Sequence, residues 1–121
     1  MDSILTSIKK LLGIEEEVTH FDKDIIFLIN SAFATLAQFI GGSEPTFFEI
    51  TNAAATWTDY MDDSVALMLI KKYVYMSTKL SFDPPATAAF LESLTAQIKE
   101  YEFRIQVETE LPTPVTISPE V

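Results

Sequence analysis

The chain has 121 residues, enough for one domain and too few for a second core. Its 18 acidic against 8 basic residues give a formal charge of −10. That balance argues against nucleic-acid binding and against an anionic membrane surface, both of which need clustered Lys and Arg, while the absence of cysteine excludes disulfides and thiolate metal sites.

Apolar residues make up 48% of the chain, so a real core can form, although a domain this small leaves much of its surface in water. The N-terminal Met1-Asp2-Ser3-Ile4-Leu5 leads into Lys9-Lys10, and no apolar run suits a signal peptide or a spanning helix. The expectation is a soluble, intracellular protein.

Residues Ser3 to Leu12 read as a short amphipathic helix. Ile4, Leu5, Ile8, Leu11 and Leu12 form its apolar side, Lys9 and Lys10 point away from it, and Gly13 offers a left-handed cap. Packing on the domain or on a neighbour is expected of this helix rather than membrane anchoring. Glu15-Glu16-Glu17 is a solvated run. Asp22 is expected to cap a second helix whose apolar set is Ile25, Leu28, Ile29, Ala32, Phe33, Leu36 and Ile40. Ile26, Phe27 and Phe39 widen that surface, which suggests a helix central in the bundle or covered on two sides, stopped by Gly41-Gly42.

The stretch from Ser43 to Asn52 is a loop with two adjacent aromatics, Phe47 and Phe48, and room for short extended pairing up to Ile50. Thr56-Trp57-Thr58-Asp59 has capping-box spacing, so a short helix starts there, with Trp57 as a core plug. Asp62, Asp63 and Ser64 supply caps for a third helix from about Val65 to Ser81. Its inner face is Ala66, Leu69, Ile70, Tyr73, Val74, Ser77 and Leu80, and Lys71, Lys72 and Lys79 lie off that face.

Asp83-Pro84-Pro85 breaks the chain, because proline cannot continue a helix and pushes its predecessor out of helical geometry. The prolines are expected to open a fourth helix, from about Ala86 to Val107, with a seam at Leu91, Leu94, Ile98, Tyr101 and Ile105. Two helices joined by so short a turn should lie antiparallel. Beyond Glu110, three further prolines forbid helix. Val115, Ile117 and Val121 alternate there, so the segment reads either as a free tail or as a strand added to a partner's sheet edge. The expected fold is all-α: a bundle of about four to five helices over residues 1–108, followed by a proline-rich tail at 109–121.

No catalytic constellation is legible. His20 is the only histidine, Asp62 and Asp63 are adjacent and read as caps, and Glu15 to Glu17 with Asp22 and Asp24 lack calcium-loop spacing. The three glycines form no phosphate loop. Neither metal nor cofactor is expected. Arg104, the sole arginine, reads either as the ion-pair partner of Glu100 or Glu108 or as an interface anchor. Phe27, Phe39, Phe47, Phe48, Arg104, Val115 and Ile117 are the candidate interface residues.

One set of motifs is familiar in its order. Trp57-Thr58-Asp59-Tyr60 leads into Lys71-Lys72-Tyr73-Val74-Tyr75, then Phe82-Asp83-Pro84-Pro85, then Glu100-Tyr101-Glu102-Phe103-Arg104. With Leu5 to Gly13 and Asp22 to Phe33, these make residues 1 to 108 resemble the small head–tail connector (adaptor) proteins of tailed bacteriophages. The resemblance implies a helical subunit that forms a ring, as a rule a dodecamer, beneath the portal protein. The ring would extend the DNA channel, let DNA pass without specific binding, and meet a stopper or tail-completion protein below. It implies residence in the virion neck after assembly in the host cytoplasm, and in this family the C-terminal region commonly reaches the portal. The rival expectation is a small helical adaptor that binds a partner peptide in an interhelical groove.

Overall fold

A computed structural model describes residues 3–40 and 48–110, apart from the side chains of Phe39 and Glu110. Five helices make up this part: α1 (Ile4–Leu11), α2 (Asp22–Phe39), α3 (Trp57–Tyr60), α4 (Val65–Phe82) and α5 (Ala88–Glu110). The all-α expectation holds, and the α4–α5 hairpin is antiparallel about the Asp83-Pro84-Pro85 turn.

Local chemistry accounts for most of the helix starts. Ser3 caps α1 by accepting the Thr6 amide, and Ser64 caps α4 by accepting from Leu67. At α3 the capping box is complete: the Thr56 hydroxyl accepts from the Asp59 amide while the Asp59 carboxylate accepts from the Thr56 amide. Gly13 ends α1 with a φ of +84°, the conformation that favours glycine. Asp62 and Asp63 are exposed, and Ser64 does the capping alone. Asp22 caps nothing: it is already the first residue of α2, and Phe21 at the cap position has no side-chain acceptor to offer. The prolines do not open α5 either. They lie in the turn, and Thr87 holds the first amides, accepting from Phe90 through its hydroxyl and from Leu91 through its carbonyl.

The core gathers Ile4 and Ile8 of α1, Ile25, Ile29 and Leu36 of α2, Trp57 of α3, Ile70 and Val74 of α4, and Ile105 of α5. The central helix is α4, not α2. It packs against α5, α2 and α1, which is why its buried set extends past the expected face to Leu67, Met76 and Thr78. α2 also meets α4, α1 and α5, yet part of its circumference stays open, and Phe27 projects from it, 70% exposed. The Thr78 hydroxyl is fully buried and has no hydrogen-bond partner among the described residues.

Two polar devices hold the non-helical chain. Lys9, expected on the wet side of α1, is only 2% exposed. Its Nζ donates to the carbonyls of Glu16 (3.1 Å) and Val18 (2.6 Å) and pairs with Asp22 Oδ1 at 2.8 Å. Two carbonyls accept its protons and the Asp22 carboxylate balances its charge as an ion pair without hydrogen-bond geometry, the partnering that burying a lysine requires. On the far side, Asn30 treats Ile50 as a strand would: its amide donates to the Ile50 carbonyl (3.0 Å) and its oxygen accepts the Ile50 N–H (2.8 Å). The extended pairing expected near Ile50 is thus made by a side chain. Among the described residues the one isolated bridge joins Ser3 to Thr56.

Candidate interaction surfaces

Catalytic geometry is not what the side chains build. His20 is exposed and tilted against Phe21, with ring centroids 4.5 Å apart. Among the described residues no three His, Asp or Glu side chains gather where they could hold a metal ion. No described helix is long and apolar enough to cross a membrane. Two tyrosines are strongly perturbed. Burial pushes the Tyr60 hydroxyl up to about 12. Burial also raises Tyr73, helped by the charge of Glu102 and by the hydrogen bond Tyr73 donates to it at 3.1 Å. Both are neutral at physiological pH, and the hydrogen bond from Tyr73 ties α4 to α5.

Apolar surface is exposed on several separate faces. Phe27 stands out from α2. On α5, Phe103 is 66% exposed, with Val107 one turn further on the same side. Phe90 lies exposed near the start of α5, where the helix runs past the edge of the core and Leu91, expected in the seam, stays partly exposed while Ile105 is fully buried.

A further surface is concave. Ser7 and Leu11 from α1, Trp57 from α3, and Met68, Lys71, Lys72 and Tyr75 from α4 line an open groove of about 430 Å³. Met68 is 69% exposed and Leu11 58%. Trp57 is otherwise buried, and its Nε1 donates to Ser7 Oγ at 3.0 Å, which fixes α3 against α1. Lys71 Nζ lies 5.9 Å from the Trp57 ring centroid and Lys72 Nζ 5.7 Å from that of Tyr101, distances at which a cation is attracted to the ring face. Lys72 therefore marks where the groove borders α5.

The expected interface residues separate into three groups. Phe27 and Arg104 are exposed. Arg104 forms the expected pair with Glu100, at 2.6 and 2.9 Å, over the Tyr101 ring. Phe48 is half-buried in an aromatic cluster, 5.0 Å from both Phe33 and Tyr60. Phe47, Val115 and Ile117, the Gly41-Gly42 stop and the side chain of Phe39 lie outside the described residues. Leu11 and Met68 were not among the candidates. The legible signal was the spacing of Val65, Met68, Lys72, Tyr75 and Lys79, alternating by three and four on one face of α4.

Compared with known proteins, the chain matches the sequence model of the phage connector protein family over residues 4–112, a span that takes in all five helices. No curated protein and no solved structure matches it.

Proposed function

Because the chain belongs to the phage connector protein family, we propose that it is the subunit of a homo-oligomeric ring, a dodecamer by expectation, set between the portal protein and the next neck component. Its role is that of a bacteriophage structural connector; the ring, the portal above and a stopper or tail-completion protein below are the specific form proposed here. The family match across the whole helical part is the observation that carries the reading.

Physical features are in keeping with it. A ring generated by rotation needs two different, complementary patches on each subunit. Phe27 on α2 and Phe103 on α5 are exposed apolar side chains carried by two different helices. A subunit at −10 suits a channel through which DNA slides, since like charge gives phosphate nothing to hold. Within this proposal the protein has no catalytic role, sits in the virion neck after assembly in the host cytoplasm, and divides into a helical domain (1–108) and a tail (109–121).

Mixing the protein with its portal and imaging by electron microscopy should show an added ring. A portal left unaltered under all conditions would sink the reading. The groove supports a second reading, a helical adaptor that takes a partner peptide between helices. That reading expects a one-to-one complex and no ring on any partner.

A further inference from the structure

The groove between α1 and α4 is apolar, lined by two aromatic side chains and left open by the described residues. We propose that its occupant is the chain's own C-terminal segment, residues 111–121, laid along α4 as an extended, proline-rich strap. This goes beyond the ring reading and does not depend on it.

Chemistry, position and reach each support this occupant. The segment begins Leu111-Pro112-Thr113-Pro114-Val115 and carries Ile117 and Pro119 further on. Proline-rich chain favours the polyproline II conformation, and aromatic-lined grooves bind that conformation because little entropy is left to lose. Trp57 and Tyr75 supply the aromatic lining, Met68 and Leu11 the apolar contact. Glu120 adds an anion to match a groove bearing Lys71 and Lys72.

Position follows from the hairpin. Tyr73 of α4 meets Glu102 of α5, and the helices run in opposite directions. As many residues separate Tyr73 from Val65 as separate Glu102 from Glu110, so α5 ends level with Val65, at the start of the exposed strip of α4. From Val65 to Tyr75 the strip is ~15 Å long at ~1.5 Å per helical residue. The eleven residues that follow Glu110 span up to ~34 Å at ~3.1 Å per residue. The strap reaches with length to spare for reversing direction.

The cysteine-free chain makes the test direct. Full-length Met68→Cys places one thiol in the groove at a position already 69% exposed, where substitution should not disturb folding. Its labelling rate with a thiol reagent should rise several-fold when Val115→Asp and Ile117→Asp are added, with helix content by circular dichroism unchanged. A Phe103→Cys control, on the outer face of α5, should label equally fast with and without those changes. Full-length Met68→Cys/Ile117→Cys, oxidised at low concentration, should form an internal disulfide and remain monomeric. Equal labelling rates with no internal disulfide would overturn the proposal. Disulfide-linked dimers would overturn it too, by assigning the groove to the tail of a second copy.

Discussion

Lys9 and Asp22 belong to different helices, and the buried ammonium of one lies 2.8 Å from the carboxylate of the other. Between them the loop curls so that the Glu16 and Val18 carbonyls face the same nitrogen. The lysine therefore organises the whole α1–α2 connection. Replacing it by Met keeps the volume but orphans two carbonyls and a carboxylate. The expected cost is ~2–4 kcal/mol, because removing one member of a buried polar set leaves the others unpaired. Asp22→Asn should cost less, about 1 kcal/mol, since Asp22 is partly exposed and the two carbonyls keep their donor. Urea denaturation of both variants and the double variant would read the coupling.

Asn30 should behave as a structural residue despite lying on a helix. Asn30→Ala removes both partners of the Ile50 backbone, with an expected loss of ~2–3 kcal/mol. Asn30→Asp keeps the acceptor for the Ile50 N–H but turns an oxygen toward its carbonyl, so it should fall between wild type and Ala. Thermal melts at neutral pH would rank the three.

Thr78 offers a stabilising change. Its buried hydroxyl has no partner among the described residues, so Thr78→Val, of the same shape, should leave stability unchanged or raise it by up to ~1 kcal/mol. Thr78→Ala instead opens a small cavity in α4 and should lower stability by about 1 kcal/mol. Loss of stability in the valine variant would show that the hydroxyl is used.

Alkaline pH should destabilise the fold through Tyr60. Its hydroxyl ionises near 10 when unfolded and is pushed up to about 12 when folded. The stabilising difference is complete below pH 10 and is lost as pH rises toward 12, and it is smaller than the full shift implies because solvent screens this partly exposed hydroxyl. Melting temperature followed from pH 8 to 12 should therefore fall more steeply for wild type than for Tyr60→Phe.

The turn itself can be probed. Pro84→Ala with Pro85→Ala should loosen the hairpin and favour a continuous helix, impairing assembly on the portal more than it alters helix content. Circular dichroism and microscopy of the same variant would separate the two effects. Normal assembly would mean that the hairpin angle matters less than its packing.

Features governed by residues three or four apart were legible in the sequence. The Thr56–Asp59 capping box, the Ser64 cap, the Gly13 terminus and the Arg104–Glu100 pair all form as spacing predicts. What escaped depended on distant chain. Nothing adjacent to Lys9 foretells that two loop carbonyls will return to meet it. Apolarity ranked α2 as central, yet α4 buries more of its residues although both helices meet three others, and helix composition carries no information on how closely each neighbour packs. The groove was hidden for the same reason: its lining comes from α1, α3 and α4, and no single periodicity reports it.

The bond from Trp57 to Ser7 joins residues fifty positions apart, and beside it the Ile4 amide donates to the Ala55 carbonyl. On the ribosome, α1 therefore emerges well before the residues that anchor it. Until the chain near Trp57 has left the exit tunnel, α1 lacks its contacts with α3 and α4, whereas the pairing of α4 with α5 waits only on a short turn. Synthesis runs from α1 to α5, but completion of the fold waits on contacts of high sequence separation, the kind that slows folding and leaves apolar surface exposed meanwhile. The place of α1 is settled only once the middle of the chain exists.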